Sequence, residues 1–415
     1  MKNSAYWEKR LANIVWKSYN SLEEENMALL DHYNKTMNSI RSELMKLDEL
    51  KELTRSEKYR REHLKSLQDQ ILRECEKLGE SVEKEMLKNV SKQIQNIHET
   101  AFVSISDEKF SRLSKNVCKD IINTPWQGSS FSQRLWKNTG KLANELNNIL
   151  SVGITKGETV AEMAFQLSNR MNKDMNICHR LVRTETINSL NRASMRGLID
   201  AGIEYVRWWA AEDERTCKTC GANHGKIYPI DKAPNLPCHP GCRCTWLPVF
   251  EDEITKEDIQ HIYDLSNDEM YAMNQYISSE SYKINDILRR RKNLSESIKQ
   301  MSENLDTALD KLDNFKGDIT RSLIINNPYV LESFLQKHEV GKIVTYHEYL
   351  STTSGEIYNK KGNIQIYILN SKKGKDLTLI NKLEREVLYK RGSSFKVVAK
   401  EEKKGKVFIL LEELD

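Results

Sequence analysis

The chain reads as an α+β protein: a long helical N-terminal region, a small cysteine-rich unit, then a C-terminal part in which helices give way to β-strands. Three observations predict this order. No proline precedes Pro125 and Gly79 is the only glycine before Gly128, so the first third lacks the residues that break helices. Five of the eight cysteines and five of the seven prolines fall between Cys217 and Pro248, in a segment too irregular to hold its shape without a cross-link. From Asp318 onward the sequence changes to short runs rich in Val, Ile, Tyr and Phe, separated by Gly, Lys or Asn, as strands and turns require.

With 415 residues the chain is long enough for three domains, expected at 1–150 (helical arm or bundle), 151–250 (with the cysteine-rich unit) and 251–415. Lys and Arg number 64 against 60 Asp and Glu, which gives no general field for gripping nucleic acid or an anionic membrane; such a contact has to be local. The first ten residues lack the basic start and apolar core of a secretory signal. One of the longest apolar runs, 407–411, is far short of the roughly 18 residues that span a bilayer. The expectation is therefore a soluble chain with no membrane partner. Clustered cysteines suit a metal site in a reducing compartment better than a secreted disulfide scaffold.

Along the first third, Tyr33, Met37, Ile40, Leu44 and Leu47 recur at spacings of four and three, and Leu64, Leu67 and Ile71 resume the pattern after a break. This periodicity predicts an antiparallel helical hairpin whose stripe packs in a bundle. A turn at 123–130 ends the region, and a second helical stretch runs from about 132 to 202 with an interruption near Gly153 and Gly157. Helices resume from 251 to about 314. Strands are expected at 318–325, 342–346, 363–369, 394–399 and 406–411.

Cys217-Lys218-Thr219-Cys220 and, further on, Cys238-His239-Pro240-Gly241-Cys242-Arg243-Cys244 form two close-spaced thiol groups. Two sulfurs from each half complete a tetrahedral zinc site, with Cys217, Cys220, Cys242 and Cys244 as the first set and Cys238 and His239 as alternatives. His224 is also near in sequence. Four protein ligands would close the coordination sphere, which makes such a metal structural and not catalytic. Reduced buried thiols, or disulfides formed after release into an oxidising medium, are the competing readings.

Arg183-Thr184-Glu185, Asn191, Ala193, Trp208 to Ala211, the stretch from Asp213 through Arg215 to Cys220, Gly225 and the His239-to-Cys244 motif together resemble the phage Mu F-like head morphogenesis (minor head) proteins over roughly 155–248. The resemblance implies a non-enzymatic role in capsid assembly, in contact with the phage portal, other head proteins and packaged DNA, and so a place in the virion. Cys238 is an extra cysteine relative to the family pattern. Thr184, Asn188 and Asn191 share a helix face by their spacing, suited to hydrogen bonding with the cysteine-rich unit.

In the C-terminal part, Arg321 lies within the apolar run Ile319-Thr320-Arg321-Ser322-Leu323, Ser351-Thr352-Thr353-Ser354 follows thirty residues later, and Glu384-Arg385-Glu386 comes about thirty further on. Alternation along an extended segment places Glu384 and Glu386 on one side, and paired carboxylates suit a reaction that develops positive charge. In this order the elements resemble the Arg-Ser-Glu class of mono-ADP-ribosyltransferases, the exoenzyme toxin family, over roughly 251–415. Tyr276, Tyr282, Asn285 and Leu288 look like the helical lead-in of those toxins.

That resemblance implies a mixed α/β domain with a two-sheet β core that consumes NAD+ as a substrate. It assigns Arg321 to the NAD+ phosphates, Ser351, Thr352 and Thr353 to the nicotinamide pocket, and Tyr358 to stacking on nicotinamide. Glu386 is assigned to the ribose and the departing nicotinamide, and Glu384 to the acceptor. The Glu-x-Glu form points by family analogy to arginine on a host protein. No Gly-x-Gly-x-x-Gly motif is present, consistent with the absence of a Rossmann site. Ser322 stands where a glycine is frequent, and Thr353 where a serine is. The whole then reads as a phage minor head protein carrying an arginine-directed transferase, present in the virion and in the host cytoplasm during assembly or after injection. The alternatives are a structural capsid protein with an inactive transferase fold, or a DNA-binding head protein.

Overall fold

A computed structural model describes residues 4–51, 57–106, 108, 110–211, 213, 216–278, 281–290, 294–355, 357 and 359–414. The chain divides into two compact units, Met1–Phe250 and Glu251–Asp415.

The first unit is built on helices Asn13–Asn26, Ala28–Lys51, Glu57–Val103, Lys115–Asn123, Phe131–Lys156 and Val160–Asp200. Tyr33, Ile40, Leu44, Leu67 and Ile71 are buried in one core, as their spacing requires, together with Leu146, Leu167 and Val182. The side chain of Leu47 lies outside the described residues. The interruption near Gly157 has a local cause. Gly157 ends one helix in the left-handed region at φ 74°, and Thr159 with Glu162 forms a capping box that starts the next. Residue 150 lies inside Phe131–Lys156, and the core runs on from Val15 to Ala193. The expected division at 150 therefore falls within a single packed body, because helices on both sides of it bury their apolar faces together.

After the long helix Val160–Asp200 come β1 (Tyr205–Trp209), β2 (Ile227–Pro229) and β3 (Thr245–Val249), an antiparallel sheet in the order β2-β1-β3. The segment expected to be irregular thus has a small sheet, and its cysteines sit in the connection between β1 and β3. Trp208, Trp246 and Leu247 from this sheet share a core with Trp7 and Leu11 near the N-terminus.

In the second unit, helices Lys256–Ile262, Asn267–Tyr276, Ser281–Arg290 and Glu296–Lys311 precede eight strands: β4 (Gly317–Leu323), β5 (Ile343–Thr345), β6 (Leu350–Ser354), β7 (Ile364–Ser371), β8 (Lys375–Asp376), β9 (Glu386–Tyr389), β10 (Ser394–Lys403) and β11 (Lys406–Glu413). Their order is β5-β10-β11-β7-β4-β6-β9-β8. Hydrogen bonding links all eight. A narrow joint between β4 and β6, held by Ile319↔Ser354 and Thr320↔Thr353, divides the expected two-layer core into a five-stranded and a three-stranded part of one continuous order. A helix, Pro328–Lys337, also appears between β4 and β5 where none was expected; Asn327 caps it and Pro328 occupies its first turn. Among the described residues, no helix is long and apolar enough to cross a membrane.

Candidate functional site

The helices of the second unit brace the strand that carries the Ser-Thr-Thr-Ser run. The side-chain amide of Asn285 donates to the hydroxyl of Tyr276 at 2.9 Å, and its carbonyl oxygen accepts from the backbone N–H of Tyr349 at 3.1 Å. Tyr349 donates its own hydroxyl to Asp306 at 2.8 Å, and Arg391 donates to the same carboxylate. These contacts fix the residue immediately before β6. Buried polar groups satisfied in this way hold a strand in one register.

Alternation along β6 then decides the faces. Leu350, Thr352 and Ser354 are buried, and Thr352 donates to the carbonyl of Val387 at 2.6 Å while Ser354 donates to the carbonyl of Arg385 at 3.2 Å. Ser351 and Thr353 point to the other face. Thr353 stands opposite Glu386 in the β6–β9 ladder, and Ser351 stands opposite Leu388. On that face the Ser351 hydroxyl donates diagonally to Glu386 Oε1 at 2.6 Å. From β4, the guanidinium of Arg321 donates to the carbonyl of Ser351.

Glu386 is 4% exposed. Burial pushes its carboxyl above the ordinary range; hydrogen bonds from Ser351 and Asn381 and the positive charge of Arg321 work against that, while Glu384 adds to it. Burial, with a smaller contribution from Glu386, likewise holds the Tyr276 hydroxyl far above its ordinary value.

Glu384 reaches the site by a different route from the one its spacing suggests. It lies in a turn, not in β9, which begins at Glu386. Arg385 adopts φ 46°, so strand alternation does not apply between the two carboxylates. They converge because the turn returns on itself, with Arg385 N–H donating to the carbonyl of Asn381 at 3.0 Å. The side-chain amide of Asn381, which the sequence reading missed, donates to Glu386 Oε2 at 3.0 Å and to Glu384 Oε2 at 3.3 Å. Its one sequence signal is an asparagine three residues before the first glutamate of the pair.

Arg321, Ser351, Thr353, Glu384 and Glu386 are thus drawn into one neighbourhood, with Thr352 behind it. Tyr358 lies outside the described residues. Ser322 points elsewhere. Its hydroxyl donates to the carbonyl of Asn359 at 2.5 Å and accepts from Gln365 at 2.9 Å, so it occupies the 359–365 turn and does not approach Ser351.

In the first unit, the Sγ atoms of Cys220, Cys238 and Cys242 are 3.7, 3.8 and 3.8 Å apart, and His239 Nε2 lies 3.3 Å from Cys220 Sγ. The ligand atoms of these four residues all fall within 4.8 Å of one another. The edge of a tetrahedron of thiolates around zinc is about 3.8 Å, given metal–sulfur bonds of about 2.3 Å. His239 Nδ1 donates to the carbonyl of Pro240 at 2.9 Å, which leaves the Nε2 lone pair turned toward the sulfurs, the tautomer a metal ligand needs.

This cluster joins Cys238 and His239, the alternatives in the sequence, to Cys220 and Cys242 of its first set. Cys217 caps the helix Lys218–Asn223, accepting from Cys220 N–H at 3.4 Å, and its sulfur is 3.2 Å from His239 Nε2. Cys244 is buried, and its carbonyl accepts from Asn191 at 2.8 Å. Burial, then the neighbouring Cys242 sulfur, pushes the Cys220 thiol up, and the Cys238 thiol to about 11; a cation among them reverses that balance. Thr184 accepts from Gly241 N–H at 3.3 Å, so two of the three helix-face residues expected to serve this unit do so. The third, Asn188, turns instead to Glu185 and Arg192.

The class that this arrangement defines is matched directly. Residues 252–415 match the family model described as ADP-ribosyltransferase exoenzyme, and residues 144–247 match that of Phage Mu protein F like protein. The chain therefore joins a phage head-like domain to an ADP-ribosyltransferase domain. Among individual proteins, NAD(+)–arginine ADP-ribosyltransferase EFV of Enterococcus faecalis is 23% identical over 269 residues, covering 59% of this chain and 55% of that protein. The chain thus spans about half the length of the curated relative it matches. The C3 exoenzyme of Clostridium limosum is 19% identical with a TM-score of 0.32, covering 37% of this chain and 88% of that one. Exoenzyme S from Pseudomonas aeruginosa is 20% identical with a TM-score of 0.30, covering 36% and 74%.

Proposed function

We propose that the second unit transfers ADP-ribose from NAD+ to arginine on a host protein, and that the first unit places the chain in a phage head. The observation that carries the reading is the buried Glu386, held by the Ser351 hydroxyl and flanked by Arg321 and Glu384. In this mechanism the planar guanidinium of Arg321 holds the NAD+ phosphates. Ser351, Thr352 and Thr353 scaffold the nicotinamide pocket.

The bond between ribose C1′ and the nicotinamide nitrogen breaks, and nicotinamide leaves with the bonding pair. Glu386, hydrogen-bonded to the ribose, stabilises the oxocarbenium ion that remains. A guanidine nitrogen of the acceptor then bonds to C1′, and Glu384 takes its proton. The match to an arginine-directed enzyme of Enterococcus faecalis supports arginine as acceptor.

The test is transfer of label from NAD+ carrying it in the ADP-ribose part to proteins of a bacterial lysate, with Glu386→Ala as the control. Label on discrete proteins that the variant fails to modify supports the reading. A folded chain that binds NAD+ yet neither cleaves nor transfers it leaves a structural head protein with an inactive transferase fold.

In the first unit, Cys220, Cys238, His239 and Cys242 hold a structural zinc ion. The support is the match of their separations to a tetrahedral edge and the tautomer of His239. The ion ties the connection between β1 and β3 together. The match to the phage head-like family supports contact with the portal, other head proteins and packaged DNA.

A further inference from the structure

One side-chain amide lies between the two carboxylates of the candidate active site. Asn381 Nδ2 is 3.0 Å from Glu386 Oε2 and 3.3 Å from Glu384 Oε2, and an amide nitrogen has two hydrogens, one for each. The residue is itself pinned. Its N–H donates to the carbonyl of Leu377 at 2.7 Å and its carbonyl accepts from Arg385 N–H at 3.0 Å, so the side chain is held at a fixed place in the turn. The next residue, Lys382, donates to the carbonyl of Glu251, anchoring the turn to the start of its unit.

The two carboxylates are held unequally. Glu386 is fixed from β9 and by Ser351, whereas Glu384 stands in a turn next to a residue with φ 46°. Like charges at close range repel, and a shared donor offsets that repulsion.

We propose that Asn381 is a positioning residue: by donating to both carboxylates it keeps Glu384 beside Glu386, and so sets how the sugar cation is divided between a guanidine acceptor and water. This rests on the transferase reading above. In both outcomes the C1′–nicotinamide bond breaks and nicotinamide leaves with the electron pair. In transfer, a guanidine nitrogen bonds to C1′ and gives its proton to Glu384; in hydrolysis, water bonds to C1′ and loses a proton to solvent. Only the first depends on where Glu384 stands.

The groups that face Glu386 are Ser351 from β6, Arg321 from β4, Tyr276 from the helix behind, and Asn381 and Glu384 from the turn. Removing the amide deletes a donor that stabilises the ionised carboxylate. The acid limb of the pH–rate profile then moves upward.

The experiment compares the full chain with Asn381→Ala and with Asn381→Leu, which is close in size and has no donor. Total nicotinamide release is measured beside label transfer to agmatine, a small soluble guanidine, and beside free ADP-ribose. Expected is a fall of about tenfold in the ratio of transfer to hydrolysis in both variants, less than the roughly hundredfold or more for loss of a general base because Glu384 is displaced and not removed, with a raised acid limb and little change in KM for NAD+. Loss of transfer and hydrolysis in equal proportion, or an unchanged ratio and pH profile, overturns the proposal. A wild-type chain that cleaves no NAD+ removes the transferase reading itself, and the proposal with it. Active wild type with an unaltered ratio in the variants removes the proposal alone.

Discussion

The hydroxyl of Ser351 donates to Glu386 across 2.6 Å although the two are not partners in the ladder: Ser351 pairs with Leu388, and Glu386 with Thr353. The contact is diagonal, and it depends on the register of β6 against β9. That makes Ser351→Ala informative. Hydrogen bonds to charged groups contribute about 1.5–3 kcal/mol, so NAD+ cleavage is expected to fall about ten- to hundredfold. Glu386 also loses a donor that favours its ionised form, so the acid limb of kcat/KM moves up. Initial rates of nicotinamide release across pH check both.

Glu386 also shapes stability. Its folded-state carboxyl titrates above the ordinary value of about 4.3, so the folded chain binds the proton more tightly than the unfolded one. As pH rises through that interval the folded state loses stability relative to the unfolded. Glu386→Gln removes the titration. The variant's Tm, relative to the wild type, should therefore increase as the pH is raised from about 4 upward, while NAD+ cleavage falls by about a hundredfold or more. Thermal melts of both chains across that range, with a parallel cleavage assay, test the pairing of gain and loss.

Purified under reducing conditions, the chain is expected to carry stoichiometric zinc. Cys242→Ser and His239→Ala should lose it and lower the Tm, because metal binding to such a cluster is folding energy. Cys217→Ser and Cys244→Ser should keep it. Elemental analysis distinguishes the two ligand sets: zinc lost with Cys217 or Cys244 and kept without Cys238 would restore the all-cysteine site.

Gly362 faces a crowded spot. A Cβ there would come within 2.1 Å of Ser322 Oγ and 2.8 Å of the carbonyl oxygen of Leu323. Gly362→Ala should destabilise by about 1–3 kcal/mol through overpacking. Adding Ser322→Gly removes the nearer obstacle and should recover part of that loss, the backbone contact accounting for the remainder. Urea melts of the single and double variants measure both.

Much of this was legible from residues. The helical stripe from Tyr33, the stop at Gly157, Thr184 and Asn191 as contacts to the cysteine-rich unit, and the strand carrying Arg321 all follow from short-range rules of period, capping and hydrogen bonding. The helix Pro328–Lys337 carried its own start signal in Asn327 and Pro328 and was overlooked. Two other features had no such signal. Glu384 and Glu386 meet through a turn with Arg385 in the left-handed region, where a spacing of two implied a strand. The tautomer that turns His239 Nε2 toward the sulfurs depends on a carbonyl of the neighbouring Pro240.

Side-chain type, helix period and cap chemistry act within about four residues, so the order of amino acids settles them directly, and it placed an arginine, a hydroxyl run, a carboxylate pair and a set of thiols in a readable sequence. Their convergence is another matter. Arg321, Ser351 and Glu386 come together because β4, β6 and β9 are neighbours in one sheet, and that adjacency is set by the burial of whole faces and by backbone pairing summed over the unit. No single residue encodes it, which is why the donor that spans both carboxylates, Asn381, could be found only once the chain was folded.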